Sequence, residues 1–223
     1  MPTGELKKVN NSGREAVNET FFLLDPGHAG LHKGVYETPG KRSPEFDGKV
    51  LYEGVQNRKI VNLILEKAER VGIDAIDIVN SNRDISLGER VRRANEIGRE
   101  VKCVYISIHA NAAGPGGWYP ASGIEIFTSK GQTKSDVFAE MLISRTVEQF
   151  EDTVKWRFNT TDSDRDKEAN FKVLRDTTMP AVLAEFGFMT DEDEVRRMDT
   201  DEWRNQCADA VVNAMIDWVT TEM

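Results

Sequence analysis

Three short apolar runs of the chain each end on a residue that can bind a metal or transfer a proton. These runs are residues 21–28 (FFLLDPGH), 104–111 (VYISIHAN) and 181–185 (AVLAE). In a parallel sheet the C-terminal strand ends share one rim, and ligands collect there. We therefore expect His28, His109 and Glu185 to belong to one site, and a metal-dependent hydrolase is the leading hypothesis.

The number of histidines limits the kinds of metal site that the chain can build. Only three are present, His28, His32 and His109. A catalytic zinc ion usually takes three protein ligands and keeps a fourth position for water. A site of three histidines would need His32, which lies in a glycine-flanked loop. A site of two histidines and one carboxylate is therefore the more economical hypothesis.

The third ligand should come from a segment with a well-fixed backbone. Glu53 immediately precedes a predicted helix, and we choose it over the nearby loop residues Glu37, Glu45 and Asp47. The chain lacks the local zinc motifs HExxH, HxxEH and CxxC. From the residues alone, histidines that only cap strand ends remain an alternative. A phosphate-binding loop at residues 26–30 is a weaker one, because it lacks the Lys-Ser/Thr pair.

Short β-branched or aromatic runs alternate with segments of helical periodicity. The predicted strands cover residues 20–25, 75–79, 102–108, 123–128, 171–174 and 181–186. The predicted helices cover residues 55–71, 86–99, 134–150 and 201–221. Strands that alternate with helices are typical of an α/β layered fold. We predict one layered domain with a mostly parallel sheet of about six strands flanked by helices.

The predicted domain spans residues 20–223 and follows an N-terminal arm over residues 1–19. Two long loops, at residues 29–52 and 112–122, come directly after the two strand-end histidines. Long loops in compact domains are often functional. We expect both loops to overhang the same rim as His28 and His109.

Composition excludes several classes of protein. The formal net charge of −9 argues against general binding of nucleic acid, which depends on Lys and Arg neutralising phosphates. No stretch is long and apolar enough to span a bilayer. The first twenty residues do not resemble a signal peptide, so we expect either a cytosolic protein or one whose export signal has been removed. The two cysteines, Cys103 and Cys207, are predicted to be buried free thiols.

Four segments, in order, resemble the zinc-dependent N-acetylmuramoyl-L-alanine amidases, the family called amidase type 3. They are residues 24–30 (LDPGHAG), 53–60 (EGVQNRKI), 107–112 (SIHANA) and 179–189 (MPAVLAEFGFM). The resemblance covers roughly residues 20–220. Two departures are Ala29, where the family usually has Gly, and Asp191, where Asn is common.

The resemblance implies that His28, Glu53 and His109 hold Zn²⁺ and that Glu185 is the catalytic carboxylate. It implies a twisted sheet of about six strands, which agrees with the strand count. It also implies hydrolysis of the bond between N-acetylmuramic acid and L-alanine in peptidoglycan, by an autolysin or endolysin acting at the cell wall in the periplasm or outside the cell. No oligomeric state is predicted.

Two other functions remain open at this point. One is a zinc peptidase that acts on wall peptides, and the other is a non-catalytic peptidoglycan-binding module. If the substrate is a stem peptide, its carboxylates could meet Arg58, Arg165 and Arg175. Trp118 and Tyr119 could stack on sugar or peptide, or could form a packed pair within their loop.

Overall fold

The computed structural model describes residues 20–159 and 164–221. The predicted N-terminal arm over residues 1–19 lies outside the described residues. Eight strands are present in the described part: β1 (Thr20–Pro26), β2 (Leu31–His32), β3 (Val35–Tyr36), β4 (Ala75–Asp77), β5 (Lys102–Asn111), β6 (Ile124–Thr128), β7 (Lys167–Glu168) and β8 (Ala181–Phe188).

Six of these strands form the central sheet, in the order β4-β1-β5-β8-β6-β7. All neighbours are parallel except β6 and β8, which run antiparallel. The short strands β2 and β3 pair separately as a hairpin within the loop that follows β1. The predicted α/β fold with a mostly parallel sheet of about six strands is confirmed.

Helices cover both faces of the sheet. They are α1 (Glu53–Val71), α2 (Leu87–Gly98), α3 (Lys134–Phe150), α4 (Lys172–Arg175), α5 (Glu192–Met198) and α6 (Asp201–Thr221). The predicted strand over residues 171–174 is wrong, because a single helical turn, α4, occupies most of this segment. Such a short apolar run carries no periodicity that separates a strand from a helix. The sixth strand of the sheet is β7 instead. It has only two residues, which are too few to give a strand pattern in the sequence.

The alternation of side chains along the strands divides the sheet into two unequal faces. Even-numbered residues such as Phe22, Ile106 and Ala184 belong to the large core under α1, α3 and α6. Odd-numbered residues such as Leu23, Tyr105 and Leu183 pack against the shorter α2 and α4. Because these two helices cover less of the sheet, this second face keeps an open cleft.

The two cysteines agree with the sequence prediction. Cys103 and Cys207 are free and buried. In the part of the chain that the structure describes, no helix combines the length and the apolar character needed to cross a membrane.

The first turn of α1 is held from two directions. On one side Gly54 approaches the backbone of the β1–β2 loop, where a Cβ atom would lie 1.8 Å from the carbonyl oxygen of Ala29. On the other side the Gln56 amide donates to the carbonyl of Met198 and accepts from Arg204 Nε at 2.9 Å. The position of α1 therefore depends on the β1–β2 loop, on the end of α5 and on α6.

We predict that Gly54→Ala destabilises the protein by about 2 kcal/mol, because the added methyl group forces the backbone apart. Gly88→Ala is the matched control. Gly88 is also the second residue of its helix, but a Cβ there meets only Lys172 Cε at 4.0 Å, and alanine favours a helix over glycine. Urea unfolding of both variants measures the difference, and equal stabilities would contradict this account of Gly54.

Candidate metal centre

His28 lies in the turn that follows β1 and adopts a backbone conformation that is uncommon for a residue with a side chain. Its φ is +61°, in the left-handed region where histidine is tolerated better than most residues. Arg90 of α2 fixes this turn, since its guanidinium donates to the carbonyls of Pro26 at 2.9 Å and His28 at 3.3 Å. The imidazole is thereby turned over the end of the sheet.

Arg90 is held by a buried ion pair with Asp25 of β1. Asp25 Oδ2 also accepts from the Tyr105 hydroxyl at 2.5 Å and the Ser107 hydroxyl at 2.8 Å, both on β5. Burial alone would raise the pKa of Asp25, but Arg90 and the two hydroxyls lower it below its ordinary value. A charged carboxylate therefore links β1, β5 and α2 directly beneath His28.

His109 projects from β5 on the same face of the sheet as Asp25. Its ring occupies space that only glycine leaves open, because a Cβ on Gly27 would lie 2.2 Å from His109 Cε1. The His28 and His109 rings are nearly perpendicular, with centroids 5.0 Å apart. Gly27 in the PGH segment therefore allows the two imidazoles to converge.

Glu53, the first residue of α1, places its carboxylate between the two rings. Its Oε1 lies 3.2 Å from His28 Nε2 and 3.0 Å from His109 Nδ1. Burial alone would raise the pKa of Glu53, but the hydrogen bonds with His109 and His28 lower it to about 2. Burial alone would lower the pKa of His109, but the hydrogen bond with Glu53 and the charges of Glu185 and Glu53 raise it above its ordinary value.

These three side chains meet the requirements of a metal site. One ligand atom from each of His28, Glu53 and His109 lies within 4.8 Å of the others. Ligand distances of about 2.0–2.2 Å in a tetrahedral zinc site put neighbouring ligands about 3.3 Å apart, close to the separations seen here. Glu53 Oε2 is buried and lacks a hydrogen-bond partner among the described residues, so a cation would satisfy an otherwise unpaired charge.

His32 does not join this group. It lies on β2 of the hairpin, away from the cluster of three ligands that the described residues form. The arrangement of two histidines and one carboxylate is therefore the one that the fold brings together.

Glu185 lies on β8 in register with His109 on the neighbouring strand β5. Burial raises the pKa of Glu185 to about 7, and the negative charges of Glu53 and Glu125 add to this effect. Its Oε2 is buried without a hydrogen-bond partner in the described part of the chain. Glu185 is thus a carboxylate held beside the candidate metal ligands and not among them.

A cleft of about 480 Å³ opens on these residues. It is lined by strand residues of the sheet, by the N-terminal ends of α2 and α4, and by Lys41 of the loop that follows β1. The strand residues are Asp25, His109, Leu183 and Glu185, and the helix-end residues include Ser86, Leu87, Phe171 and Lys172. The candidate site is therefore accessible from the face of the sheet that α2 and α4 cover incompletely.

The arginines suggested by the sequence do not line this cleft. Arg58 donates to the carbonyls of Gly54 and Ser81, Arg165 pairs with Glu140, and Arg175 pairs with Asp176. Each has a structural partner instead.

The two aromatic residues of the 112–122 loop also lie outside the cleft lining. Tyr119 packs on the backbone of Gly114 and donates its N–H to the carbonyl of Thr190, which makes it part of the loop's own packing. Trp118 remains partly exposed. Asp191, the second departure from the family pattern, accepts from the backbone N–H groups of Asp193 and Glu194 and caps α5.

Comparison with known proteins points, over most of the chain, to the family that the sequence resembles. A family model described as N-acetylmuramoyl-L-alanine amidase matches residues 22–217. An uncharacterized cell wall amidase of Bacillus anthracis is 30% identical over an alignment of 222 positions that covers 95% of this chain and 37% of that protein. The amidase AmiC of Neisseria meningitidis is 26% identical over a gapped alignment of 251 positions that covers 95% of this chain and 55% of AmiC. The chain thus spans between a third and just over half of these relatives.

A solved structure supports the same fold. The N-acetylmuramoyl-L-alanine amidase from Clostridium difficile 630 superposes with a TM-score of 0.73 and 28% identity, over 92% of this chain and 100% of that one.

We propose that His28, Glu53 and His109 bind a metal ion, and we predict that His28→Ala and His109→Ala each remove most of it, because each deletes one of the three candidate ligands. His32→Ala is the matched control and should keep the metal content of the unaltered protein. Metal analysis of the purified variants after dialysis measures the outcome. Full metal content in either of the first two variants would exclude that histidine as a ligand.

Proposed function

The chain belongs to the N-acetylmuramoyl-L-alanine amidase family, and from this premise we propose that it is a zinc-dependent hydrolase. Its substrate would be the amide bond that joins N-acetylmuramic acid to L-alanine in peptidoglycan. The observation that carries the proposal is the convergence of His28, Glu53 and His109 beside Glu185 at one open cleft.

We assign the metal ligands to His28, Glu53 and His109. When bound, Zn²⁺ would supply Lewis acidity toward the amide carbonyl and toward a water molecule. Nitrogen and oxygen donors of this set suit zinc. Both imidazoles must be neutral to act as ligands, and the ring nitrogens that lie nearest the Glu53 carboxylate are His28 Nε2 and His109 Nδ1.

Glu185 is the proposed general base and acid. It would take a proton from the attacking water and later deliver it to the leaving nitrogen. Before a cation binds, burial raises the pKa of this carboxyl to about 7, so either protonation state is accessible near neutral pH. Its fixed place in β8, in register with His109, keeps it at one distance from the ligand cluster.

Action on peptidoglycan would place the working enzyme at the cell wall, in the periplasm or outside the cell. The cleft supports a polymeric substrate because it is open along one face of the sheet and has apolar walls at Leu87 and Phe171.

We predict that Glu185→Gln keeps the zinc content and lowers kcat by about 10²–10⁴-fold, the contribution typical of a general base. The amide preserves the size of the side chain but cannot accept the proton. Release of peptide from purified peptidoglycan, measured together with zinc content, gives the result. A variant with normal zinc and normal turnover would remove Glu185 from the mechanism.

We also predict the chemical identity of the products. Digestion of peptidoglycan should release intact stem peptides that begin with L-alanine, should stop when a chelator removes the metal, and should resume on addition of Zn²⁺. Mass spectrometry of the soluble products measures this. Shortened stem peptides would indicate a peptidase, and no product from the zinc-loaded protein would indicate a binding module.

A further inference from the structure

The cleft contains one lysine whose ammonium has no partner among the residues that the structure describes. Three basic residues line it: Lys41, Arg90 and Lys172. Arg90 is buried in its pair with Asp25, and Lys172 Nζ lies 2.6 Å from Asp176. Lys41 is exposed, and its ammonium forms no hydrogen bond or ion pair within the described ranges 20–159 and 164–221. Lys41 is therefore available to a ligand.

The backbone of Lys41 is fixed directly to the candidate metal centre. Its carbonyl accepts from the N–H of Glu53 at 3.0 Å and from the Tyr36 hydroxyl at 2.8 Å, and its own N–H donates to the carbonyl of Thr38 at 2.9 Å. The Lys41 side chain is free, while its backbone is hydrogen-bonded to Glu53, the first residue of α1. A fixed backbone reduces the conformational entropy that is lost when the ammonium binds a ligand.

Lys41 and Glu185 line the same cleft. The positive charge of Lys41 opposes the burial that raises the pKa of Glu185. Lys41 can therefore contact a substrate close to the scissile amide bond on which Glu185 is proposed to act.

We propose that Lys41 binds a carboxylate on the peptide side of the scissile amide and thereby sets the direction in which the substrate lies in the cleft. This inference rests on the proposed function. In that substrate the lactyl and N-acetyl groups on the sugar side of the bond are uncharged, whereas the peptide side carries carboxylates. An unpaired ammonium beside the metal centre therefore marks the peptide side.

The opposite half of the substrate then faces the walls contributed by α2 and α4. Leu87 and Phe171 are exposed there by 52% and 39%, and Phe171 is held edge-on against Phe127 at a centroid distance of 5.3 Å. An exposed ring and an apolar side chain suit the uncharged face of a sugar better than a carboxylate.

The test compares two synthetic muramoyl dipeptides that differ in one group. The second residue of one carries a free carboxylate, and that of the other carries the carboxamide. Steady-state kcat and KM are measured for the zinc-loaded protein, for Lys41→Gln and for Lys41→Arg. Lys33→Gln is the control, since it makes the same change of charge in the hairpin turn and Lys33 does not line the cleft.

We expect the unaltered protein to prefer the carboxylate substrate. Lys41→Gln should raise KM for that substrate by about fivefold, the loss typical of one partly exposed ion pair. It should leave kcat and the KM for the carboxamide nearly unchanged. Lys41→Arg should keep the preference, and Lys33→Gln should behave like the unaltered protein.

Two results would overturn the inference and leave the proposed function intact. One is cleavage of both substrates by the unaltered protein with equal KM values. The other is a Lys41→Gln variant that retains the full preference. Failure of the zinc-loaded protein to cleave either substrate would instead count against the proposed function.

Discussion

The buried ion pair between Asp25 and Arg90 is the interaction on which the geometry of the site depends. It joins β1 to α2, and two hydroxyls of β5 complete the shell of Asp25. Loss of one partner from a buried pair typically costs about 3–5 kcal/mol, which is at least as large as the cost of about 1–3 kcal/mol for a left-handed backbone at a residue such as His28. The network around Asp25 and Arg90 can therefore stabilise the turn at His28 in a backbone conformation that is unfavourable for histidine by itself.

One face of the sheet carries most of the apolar core, and the other face carries the residues of the candidate site. The face under α1, α3 and α6 is a continuous apolar core, and the face under α2 and α4 is only partly covered. Asp25, His109 and Glu185 all project from this second face, at odd-numbered positions of three adjacent strands. Polar groups can be concentrated there because the opposite face supplies most of the hydrophobic stabilisation.

The sequence predicts which strand-end residues converge better than it predicts the segments that surround them. The strand-end rule brings His28, His109 and Glu185 together because the topology of a parallel sheet determines where strand ends lie. No sequence pattern places Lys41 or Arg90 at the cleft. Lys41 lies in a loop and Arg90 in a helix, and both reach the cleft only through tertiary packing. The segment at residues 171–174 fails for a related reason, because a run of four residues fits a strand and a helical turn equally.

The contact between α1 and α6 has a consequence for the newly synthesised chain. Glu53 and both candidate histidines precede residue 110 in the chain, but Gln56, in the first turn of α1, is held by Met198 at the end of α5 and by Arg204 of α6. During translation the imidazoles and the carboxylate are present long before the segment that orients them. The three candidate ligands should therefore reach their final arrangement only after residues 198–204 have been made.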